Sequence, residues 1–420
     1  MTSKLEDLIA ELCPNGVEYK KIGDIADVSI GLATSVTKYK RDSGVLLLHN
    51  SDIQQGRIEL KNIEHIDDSF AKKNSSKLLR KNDIITIHTG DVGTSAVITD
   101  EYAGSIGFTT ITSRIKDFNQ VYPYYLCTYF NSHKCKIDIR KMTISDRSNL
   151  NQKDFIKIQV PVPPLEVQRE IVRILDNFTE LTAELTAELT ARKKQYEYYR
   201  DTLLTFNDNN PLRSLISRYC PNGVEYKKIG DIASVDRGGS LQKKDFCEHG
   251  IPCIHYGQIY TKYGLFASKS YTFIDSECAS KQRFAHKNDI VMAVTSENIE
   301  DVCKCVAWFG EEDVAVSGHS AIIRHNQNAK YLVYYFHSSM FFLQKKKLAH
   351  GTKVIEVTPS DLLDVKIPVP PLEVQRQIVQ ILDRFDALCN DLTQGLPAEI
   401  EARRKQYEYY RDQLLTFKRA

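Results

Sequence analysis

Two long stretches of the chain carry hydrophobic residues at steps of three or four, the spacing of one buried stripe along an α-helix. The first helix is predicted from about Leu165 to Phe206, and its stripe consists of Ile171, Ile174, Phe178, Leu181, Leu185, Leu189, Tyr196, Tyr199, Leu203 and Phe206. The second stripe consists of Ile378, Ile381, Phe385, Leu388, Leu392, Leu396, Ile400, Tyr407, Tyr410, Leu414 and Phe417. Gly395 and Pro397 are expected to interrupt the second helix. Such stripes pack against one partner helix, so we expect the two helices to pair.

Short apolar runs rich in β-branched residues, each bounded by turn residues, predict strands upstream of both helices. These runs are 45–48, 84–87 and 95–98 in the first half of the chain and 290–294 and 321–323 in the second half. Short helices are predicted over 6–12, 123–131 and 331–342. The pattern predicts an α+β protein in which two mixed α/β globules are joined by the two long helices.

Three segments of the sequence occur twice, in the same order. The repeated segments are CPNGVEYKKIGDIA at 13–26 and 220–233, PVPPLEVQR at 161–169 and 368–376, and KQYEYYRD at 194–201 and 405–412. The first two pairs are offset by 207 residues and the third by 211. The chain is therefore a tandem duplication.

Between these matching segments the two copies diverge. Residues from about Thr34 to Asn149 share only skeletal features with those from about Leu241 to Glu356, such as the triplet Asn-Asp-Ile at 82–84 and 288–290. A common scaffold that presents two different surfaces suits the recognition of two different things. Drift in unimportant loops is the alternative, but it does not explain why the matching segments kept identical letters.

The repeat divides the chain into four segments, which are a first globule at 1–160 with a short N-terminal helix, a central helix at 161–209, a second globule at 210–367 and a C-terminal helix at 368–420. A Pro-Val-Pro-Pro segment leads out of each globule, and it is stiff because proline fixes its own backbone and restricts the residue before it. To bury its stripe, the second helix must run back along the first. We therefore expect an antiparallel coiled-coil pair that relates the two globules by an approximate two-fold axis.

Composition adds little to this picture. Hydrophobic residues make up 42% and charged residues 26% of the 420 residues, which is typical of a globular protein with more than one domain. No apolar run approaches the roughly 18 residues that span a bilayer, and Glu6 and Asp7 stand where a signal peptide carries basic residues. We therefore predict a cytoplasmic protein without a membrane partner. The net charge of +2 neither requires nor excludes nucleic acid, because phosphates need basic groups on one face and not a basic total.

Residues for catalysis are not evident in the sequence. It contains no phosphate-binding G-x-x-x-x-G-K-[ST] loop and no Asn/Asp-Pro-Pro-Tyr/Phe tetrapeptide of the kind that amino-methyltransferases use. Glu59-Leu60-Lys61 is similar to the end of a nuclease site but lacks the preceding Pro-Asp. Four potential zinc ligands lie within nine residues, at Cys247, His249, Cys253 and His255. Their spacing matches no familiar zinc module, so a buried thiol and hydrogen-bonded histidines are favoured over a metal. We predict no catalytic residue, metal or cofactor in this chain.

Two variable globules that alternate with two nearly identical helical segments form a recognisable combination. Each exit reads PVPPLEVQR, each long helix ends in QYEYYRDxLLTF, and each unit opens with GVEYKKIGDIA. Together these phrases resemble the specificity subunit of type I restriction-modification systems, and the resemblance spans essentially the whole chain. The stretch LTAELTAELTA from Leu181 points to the subclass in which such TAEL repeats set the spacing of the target.

The resemblance implies a non-catalytic subunit whose two target-recognition domains bind double-stranded DNA. It also implies two methyltransferase (modification) subunits as partners, which methylate adenine N6 with S-adenosylmethionine, and two restriction/translocase subunits that can join them and use ATP and Mg²⁺. Because duplex DNA has two-fold axes of its own, a two-fold pair of unlike readers fits an asymmetric, bipartite target. The alternatives are a coiled-coil scaffold with two protein-binding globules and, third, a self-sufficient nuclease or methyltransferase.

Polar residues on loops and strand ends are the candidates for contact with bases and phosphates. In the first copy we predict DNA binding by Lys38, Lys40, Arg41, Asn50, His88, Thr89, Thr94, Ser145, Arg147 and Asn149. In the second copy we predict it for Arg237, Ser240, Lys243, Tyr256, Gln258, Ser296, Thr352 and Lys353. For each single residue, an ordinary solvated loop position is the alternative.

Two further features of the long helices have alternative interpretations. The basic residues at 192–194 match those at 403–405, and they either dock methyltransferase subunits, lie over phosphates or form a solvated flank. The aromatic cluster Tyr196, Tyr198 and Tyr199 is assigned to the core of the helix pair rather than to base stacking.

Overall fold

A computed structural model of the chain describes residues 3–142 and 149–420. The chain forms two compact units, which we call unit 1 (Met1–Thr186 with Glu399–Ala420) and unit 2 (Ala187–Ala398). No helix among the described residues is both long enough and apolar enough to cross a lipid bilayer. Each unit combines sheets with helices, which confirms the α+β prediction.

Among the residues that the structure describes, unit 1 combines two four-stranded sheets and two two-stranded ones with short helices and with parts of two long helices. Its helices are α1 (Ser3–Leu12), α2 (Ile22–Ile25), α3 (Asp68–Lys73), α4 (Pro123–Phe130), α5 (His133–Met142), α6 (Gln152–Phe155), the first half of α7 (Leu165–Leu204) and most of the last helix of the chain, α16 (Leu396–Leu414). Its strands are β1 (Tyr19–Lys21), β2 (Ala26–Ile30), β3 (Lys40–Arg41), β4 (Val45–Leu48), β5 (Ile53–Gln54), β6 (Arg57–Ile58), β7 (His65–Ile66), β8 (Ile84–Ile87), β9 (Ser95–Val97), β10 (Ile106–Gly107), β11 (Thr110–Ile115) and β12 (Gln159–Pro161).

Unit 2 repeats this composition from one continuous part of the chain. Its helices are the second half of α7, α8 (Arg213–Tyr219), α9 (Ile229–Ile232), α10 (Tyr256–Thr261), α11 (Ser276–Ala279), α12 (Ala329–Phe336), α13 (Ser339–Leu348), α14 (Pro359–Leu362) and α15 (Leu372–Asn390). Its strands are β13 (Tyr226–Lys228), β14 (Ala233–Arg237), β15 (Ile251–Ile254), β16 (Phe266–Ala267), β17 (Thr272–Ile274), β18 (Arg283–Ala285), β19 (Ile290–Ala293), β20 (Thr295–Ser296), β21 (Cys305–Trp308), β22 (Val314–Val316), β23 (Ser320–His325), β24 (Ile355–Glu356) and β25 (Lys366–Pro368).

The two units share one strand order. The main sheet runs β2-β11-β8-β9 in unit 1 and β14-β23-β19-β21-β16 in unit 2, and the shared neighbours are antiparallel. The second sheet contains a parallel pair in each unit, β10 with β4 and β22 with β15. The central strands β8 and β19 are buried on both faces, which explains why their sequences are continuous apolar runs rather than alternating ones. The repeat in the sequence is therefore a repeat in topology.

The proline-rich exit segment, which is identical in the two copies, is held in place by one glutamine in each unit. In unit 1 the Gln168 Nε2 atom donates to the Pro163 carbonyl at 2.6 Å, and its Oε1 atom accepts from the Tyr122 amide at 2.8 Å. In unit 2 the Gln375 Nε2 atom donates to the Pro370 carbonyl at 2.8 Å, and its Oε1 atom accepts from the Asn328 amide at 3.0 Å. Both glutamines are fully buried. Their double role joins globule, proline segment and long helix, and it gives a physical reason for the identical letters of PVPPLEVQR.

The long helices follow the sequence prediction with one interruption. The first is continuous over 40 residues, whereas the second is divided into α15 and α16 by residues 391–395. Gly395 lies at this break, where a Cβ atom would come within 2.5 Å of the Ala387 carbonyl oxygen. The predicted interruption near Gly395 and Pro397 is confirmed.

Aromatic rings join α7 to its neighbours inside each unit. In unit 1 the Phe178 ring stacks on Tyr410 with centroids 5.4 Å apart. In unit 2 the Tyr199 ring stacks on Phe385 at 5.2 Å. The residue number rises from 178 to 199 along α7 while the number of the contacted ring falls from 410 to 385, so the two long helices are antiparallel.

Two local predictions were wrong. The helix predicted over 331–342 is two helices, α12 and α13, because Ser338 caps a new helix and its hydroxyl accepts from the Phe341 amide at 3.3 Å. Of the predicted aromatic cluster, Tyr196 and Tyr199 pack on Phe385, but Tyr198 is 66% exposed and is not part of the helix-pair core.

Candidate nucleic-acid interface

Three loops of unit 1 meet beyond one end of its main sheet. The Asn50 side chain donates from Nδ2 to the Thr89 carbonyl at 2.9 Å. The Thr89 hydroxyl in turn donates to Asn149 Oδ1 at 2.8 Å, and the backbone at Asn149 forms a bridge with Thr89. Residues that are widely separated in the sequence therefore form one polar surface.

The groups on this surface are uncharged donors and acceptors. Thr89 and Asn149 are exposed, and the buried Oδ1 atom of Asn50 has no hydrogen-bond partner among the described residues. His88 is half-buried, its Nδ1 atom lies 2.9 Å from the Thr89 hydroxyl, and burial lowers the pKa of its imidazole. The ring is therefore neutral at physiological pH. Neutral amides, hydroxyls and imidazoles can hydrogen-bond to base edges, and amides and hydroxyls also contact phosphates.

Basic residues of unit 1 lie along β3 and the turn before it. Lys38 is exposed beside the Tyr39 ring, whereas Lys40 forms an ion pair of 2.5 Å with Glu64 and Arg41 one of 3.5 Å with Asp67. The hydrogen bond from Lys40 is the main reason that the pKa of Glu64 is lowered. A phosphate would therefore compete with carboxylates for Lys40 and Arg41, whereas none of the described carboxylates forms an ion pair with Lys38.

Thr94 supports the loop from behind. It is 4% exposed, its hydroxyl donates to Asp91 Oδ2 at 2.6 Å, and it accepts from Lys136 Nζ at 2.9 Å. Direct contact between Thr94 and DNA would require this loop to open. The predicted contacts Ser145 and Arg147 lie outside the described residues.

We call the place where these loops meet the junction; in unit 1 it is formed by Asn50, Thr89 and Asn149. Unit 2 builds the same junction from different side chains. Thr295 pairs with Glu356 across β20 and β24, at the positions that Thr89 and Asn149 occupy in unit 1. The Thr295 carbonyl accepts from the Tyr260 hydroxyl at 2.7 Å, as the Thr89 carbonyl accepts from Asn50. The framework of the junction is therefore repeated while its chemistry is changed.

Charged and aromatic groups surround the junction of unit 2. Arg237, the last residue of β14, forms an ion pair with Glu356. The half-buried Tyr256 ring lies 5.0 Å from the exposed His319 ring, and the half-buried Ser296 of β20 lines the same hollow as Tyr256. Thr352 and Lys353 are exposed in the turn that precedes β24.

The remaining predicted residues of unit 2 lie on two different features. Ser240 and Lys243 are exposed on the loop after β14, and Ser240 lines an open hollow of about 420 Å³ whose wall includes Asp275 and Glu277. Gln258 is 7% exposed, and its side chain accepts from the His255 amide at 3.0 Å to cap α10. Gln258 therefore holds the helix that carries Tyr256, and only a rearrangement would bring it to DNA.

Sequence reasoning missed Glu356, Tyr260, Arg283 and His319. Arg283 donates to the Arg237 carbonyl at 2.9 Å, and His319 packs on Tyr256. Glu356 lies three residues beyond a predicted contact, and Tyr260 lies two residues beyond another. For these two residues, proximity to the predicted stretches was the available signal, whereas no comparable signal in the sequence marked Arg283 or His319.

The sequence also raised a metal site at Cys247, His249, Cys253 and His255. In the structure the Cys253 thiol donates to the Thr272 hydroxyl, and His255 Nδ1 accepts from the Gly257 amide at 3.2 Å. Within residues 3–142 and 149–420, no group of three or more histidine, cysteine, aspartate or glutamate side chains is arranged to hold a metal ion.

The helical part of unit 1 carries an apolar groove. Its cavity volume is about 410 Å³, and it is lined by Arg173, Ile174, Asn177, Phe178, Leu181, Gln406, Tyr410 and Leu414. The basic flanks predicted at 192–194 and 403–405 carry ion pairs with glutamates on their own helices, such as Arg192 with Glu188 at 3.4 Å and Arg403 with Glu399 at 3.6 Å. Helix-internal pairing of this kind is typical of a solvated flank.

Comparison with known proteins places these features in a family. A family model described as the type I restriction modification DNA specificity domain matches residues 14–192 and 221–402. The chain is 37% identical over 309 residues to the specificity subunit of the type I restriction enzyme EcoR124I/EcoR124II of Escherichia coli, a match that covers 70% of each chain. It is 33% identical over 285 residues to a putative type I specificity subunit of Haemophilus influenzae, which covers 65% of this chain and 67% of the relative.

Solved structures share the fold. A chain from a study of complex assembly in a type I R-M system matches with a TM-score of 0.65 at 20% identity, covering 96% of this chain and 98% of that one. The HsdS subunit from Thermoanaerobacter tengcongensis matches with a TM-score of 0.52 at 19% identity, covering 96% and 97%.

Proposed function

This chain belongs to the type I restriction-modification DNA specificity family, and on that premise we propose that it selects the DNA sequence on which a restriction-modification complex acts. The DNA target has two separate halves, which we call half-sites. Each unit recognises the bases of one half-site through the junction of loops at the end of its main sheet. The two half-sites differ, and the bases between them are not contacted.

One observation carries this proposal. The junctions of the two units use the same backbone bridge and the same accepting carbonyl, but they present a neutral Thr89 and Asn149 in unit 1 and a charged Arg237 and Glu356 in unit 2. A protein that recognises DNA sequence is expected to keep its framework groups constant while its outward-facing groups change. The fold positions the loop, and the side chains on it select the base.

The long helices supply spacing and attachment in this proposal. The middle of α7, residues 181–190, packs little, with seven of its ten residues exposed. Leu189 packs against the core of unit 2, whereas Leu181 and Leu185 belong to neither core, so a change of length within 181–188 should disturb the cores little. We assign the chain to the subclass in which TAEL repeats set the spacer, and four residues more or less would alter the helix by roughly 6 Å.

Catalysis is assigned to partners. Two modification subunits would methylate adenine N6 with S-adenosylmethionine, and two restriction/translocase subunits would add ATP- and Mg²⁺-dependent steps, all in the cytoplasm where the DNA lies. The apolar groove of unit 1, with Phe178, Leu181 and Tyr410, is suited to receive an apolar surface of a modification subunit because it leaves Leu181 46% exposed.

Selection from a duplex library tests the proposal. The full chain is incubated with double-stranded DNA of random sequence, bound duplexes are sequenced, and binding is repeated at several salt concentrations. We expect one bipartite motif with an unspecified spacer and affinity that falls steeply with salt. Enrichment of no sequence would reject DNA reading and favour the protein-binding scaffold. Methyl transfer by the chain without any partner would reject the assignment of catalysis to other subunits.

A further inference from the structure

Arg237 stands at the edge of the unit 2 junction with most of its hydrogen-bonding capacity unused. It is the last residue of β14, its backbone carbonyl accepts from Arg283 Nη1 at 2.9 Å, and its side chain is 46% exposed. One guanidinium nitrogen, Nη2, donates to Glu356 Oε1. The Nε and Nη1 atoms have no partner among the described residues.

Glu356 is a rigid anchor for this guanidinium. Its backbone is paired on both sides, with Thr295 across β24 and β20 and with His350 through reciprocal amide–carbonyl bonds of 2.9 and 3.0 Å. Its carboxylate is 31% exposed and therefore partly shielded from water. An arginine fixed at one nitrogen by a carboxylate on a paired strand has lost much of its rotamer freedom before any ligand arrives.

The equivalent place in unit 1 carries neither charge. Ile30 occupies the strand position of Arg237, since Ile30 pairs with Ile111 as Arg237 pairs with Ala321. Asn149 occupies the position of Glu356. The pair is therefore no requirement of the shared framework, and it belongs to the part of the molecule in which the two units differ.

We propose that Arg237 reads a guanine in the half-site of unit 2 and that Glu356 is the positioning residue that aims it. Arginine offers a planar fork of donors that matches the O6 and N7 acceptors of guanine, and this is the commonest specific contact in the major groove. Nη2 keeps a second N–H after it donates to Glu356, so this N–H and that of the neighbouring nitrogen still form one two-donor edge for guanine. This inference rests on the proposed function and adds a base identity to it.

Library selection with four variants tests the inference. Arg237→Ala and Arg237→Lys both remove the fork of donors, and Arg237→Lys keeps the positive charge. In each variant the preference for one G·C pair is expected to fall by a factor of about 5 to 150. Glu356→Gln is expected to reduce that same preference by a smaller factor. The double variant R237A/E356Q should show the same preference at that base pair as R237A. A positioning residue has no effect on this preference once the arginine that it positions has been removed.

Two controls are available in the chain. Asp364→Asn removes an exposed carboxylate of unit 2 that pairs with Lys228 at 2.8 Å, and it should leave the motif unchanged. Asn149→Ala changes the equivalent position of unit 1, and any effect should fall on the other half-site. Thermal unfolding of every variant excludes loss of folding as the cause of a changed motif.

The outcomes are distinguishable. If the wild-type chain enriches no motif, the proposed function fails. If it enriches a bipartite motif that neither Arg237 variant alters at any single base pair, only this inference fails. An equal loss at all positions on Arg237→Ala, with a salt dependence reduced by about one charge, would assign Arg237 to a phosphate and would also overturn the inference.

Discussion

At the scale of single residues, the shared triplet Asn-Asp-Ile has a structural origin. Asn82 and Asn288 adopt positive φ angles of 70° and 74°, a conformation that asparagine tolerates better than most residues. The aspartate that follows each of them binds a backbone amide of the same turn, the amide of Arg80 in unit 1 and that of His286 in unit 2, both at 2.8 Å. The triplet therefore makes the turn that leads into the central strand.

Removal of the aspartate charge should harm the two units unequally. Asp83 is 2% exposed and accepts from two nitrogens of Arg114, at 2.6 and 2.9 Å, whereas Asp289 lies 3.5 Å from Arg324, which also pairs with Asp236. Asp83→Asn should therefore lower stability by about 2 kcal/mol, a discounted value because Arg114 is 27% exposed. Asp289→Asn should cost less than half of that. Hydrogen exchange of the β8 and β19 amides measures both, and equal losses would contradict the prediction.

Two histidines predict that unit 2 is sensitive to acid. Burial lowers the pKa of His325 and of His337 to about 4, below the value of about 6.5 in an unfolded chain. Protonation therefore favours the unfolded state, so the stability present above pH 6.5 is lost as the pH falls towards 4. We expect about 1–2 kcal/mol from each histidine.

Denaturation at several pH values measures this effect. Trp308 is the one tryptophan of the sequence and is 1% exposed in unit 2, so its fluorescence reports on that unit. His337→Gln should flatten the dependence of stability on pH between 6.5 and 4. An unchanged slope in this variant would show that other groups cause the sensitivity to acid.

Single residues also mark the limit of prediction from sequence. The sequence located the loops that meet at each junction, because polar, turn-rich stretches between apolar runs are readily identified. It could not separate Thr89, which is exposed, from Thr94, which is buried and supports the loop. The difference depends on whether Lys136 of a distant helix reaches the hydroxyl, and no local pattern contains that information.

At the scale of elements, the helical stripes were predicted from periodicity, and the strands 45–48 and 84–87 were predicted to the residue. These elements are set by burial, which the order of apolar residues records. The separation of residues 331–342 into two helices was not predicted. Ser338 caps the second of these helices, but a serine inside a strongly apolar run is also compatible with one continuous helix.

The break between α15 and α16 gives a prediction for a glycine. A Cβ atom on Gly395 would meet the carbonyl oxygens of Ala387, Asp391 and Leu388 at 2.5, 2.7 and 2.9 Å. Gly395→Ala should therefore cost about 1–3 kcal/mol, because backbone atoms must shift to admit the methyl group. Gly264→Ala is the matched control in the same unit, since no atom lies within 4 Å of its added Cβ. Similar thermal midpoints for the two variants would contradict the prediction.

At the scale of the whole molecule, the length of α7 is expected to control the target. Deletion of residues 182–185 removes one repeat and shortens the helix by roughly 6 Å, close to two base-pair steps, and it turns the helix by about 40° beyond one full turn. We expect a shorter spacer and unchanged half-sites. Mapping of methylated adenines in cells that carry either version, together with the partner subunits, measures both. A fixed spacer length, or altered bases within a half-site, would refute the expectation.

Unit 1 is assembled from both ends of the chain. The Val17 amide donates to the Lys418 carbonyl at 2.9 Å, and the Tyr19 hydroxyl donates to the Phe417 carbonyl at 3.0 Å. During synthesis on the ribosome, unit 1 can therefore be completed only after residues 399–420 have been made. At 5–20 residues per second, this completion follows the synthesis of the first 186 residues by about 10–40 s. Unit 2 is continuous and can finish first. The nascent protein thus exposes an incomplete early half, and chaperones or premature termination would act on that half before the later one.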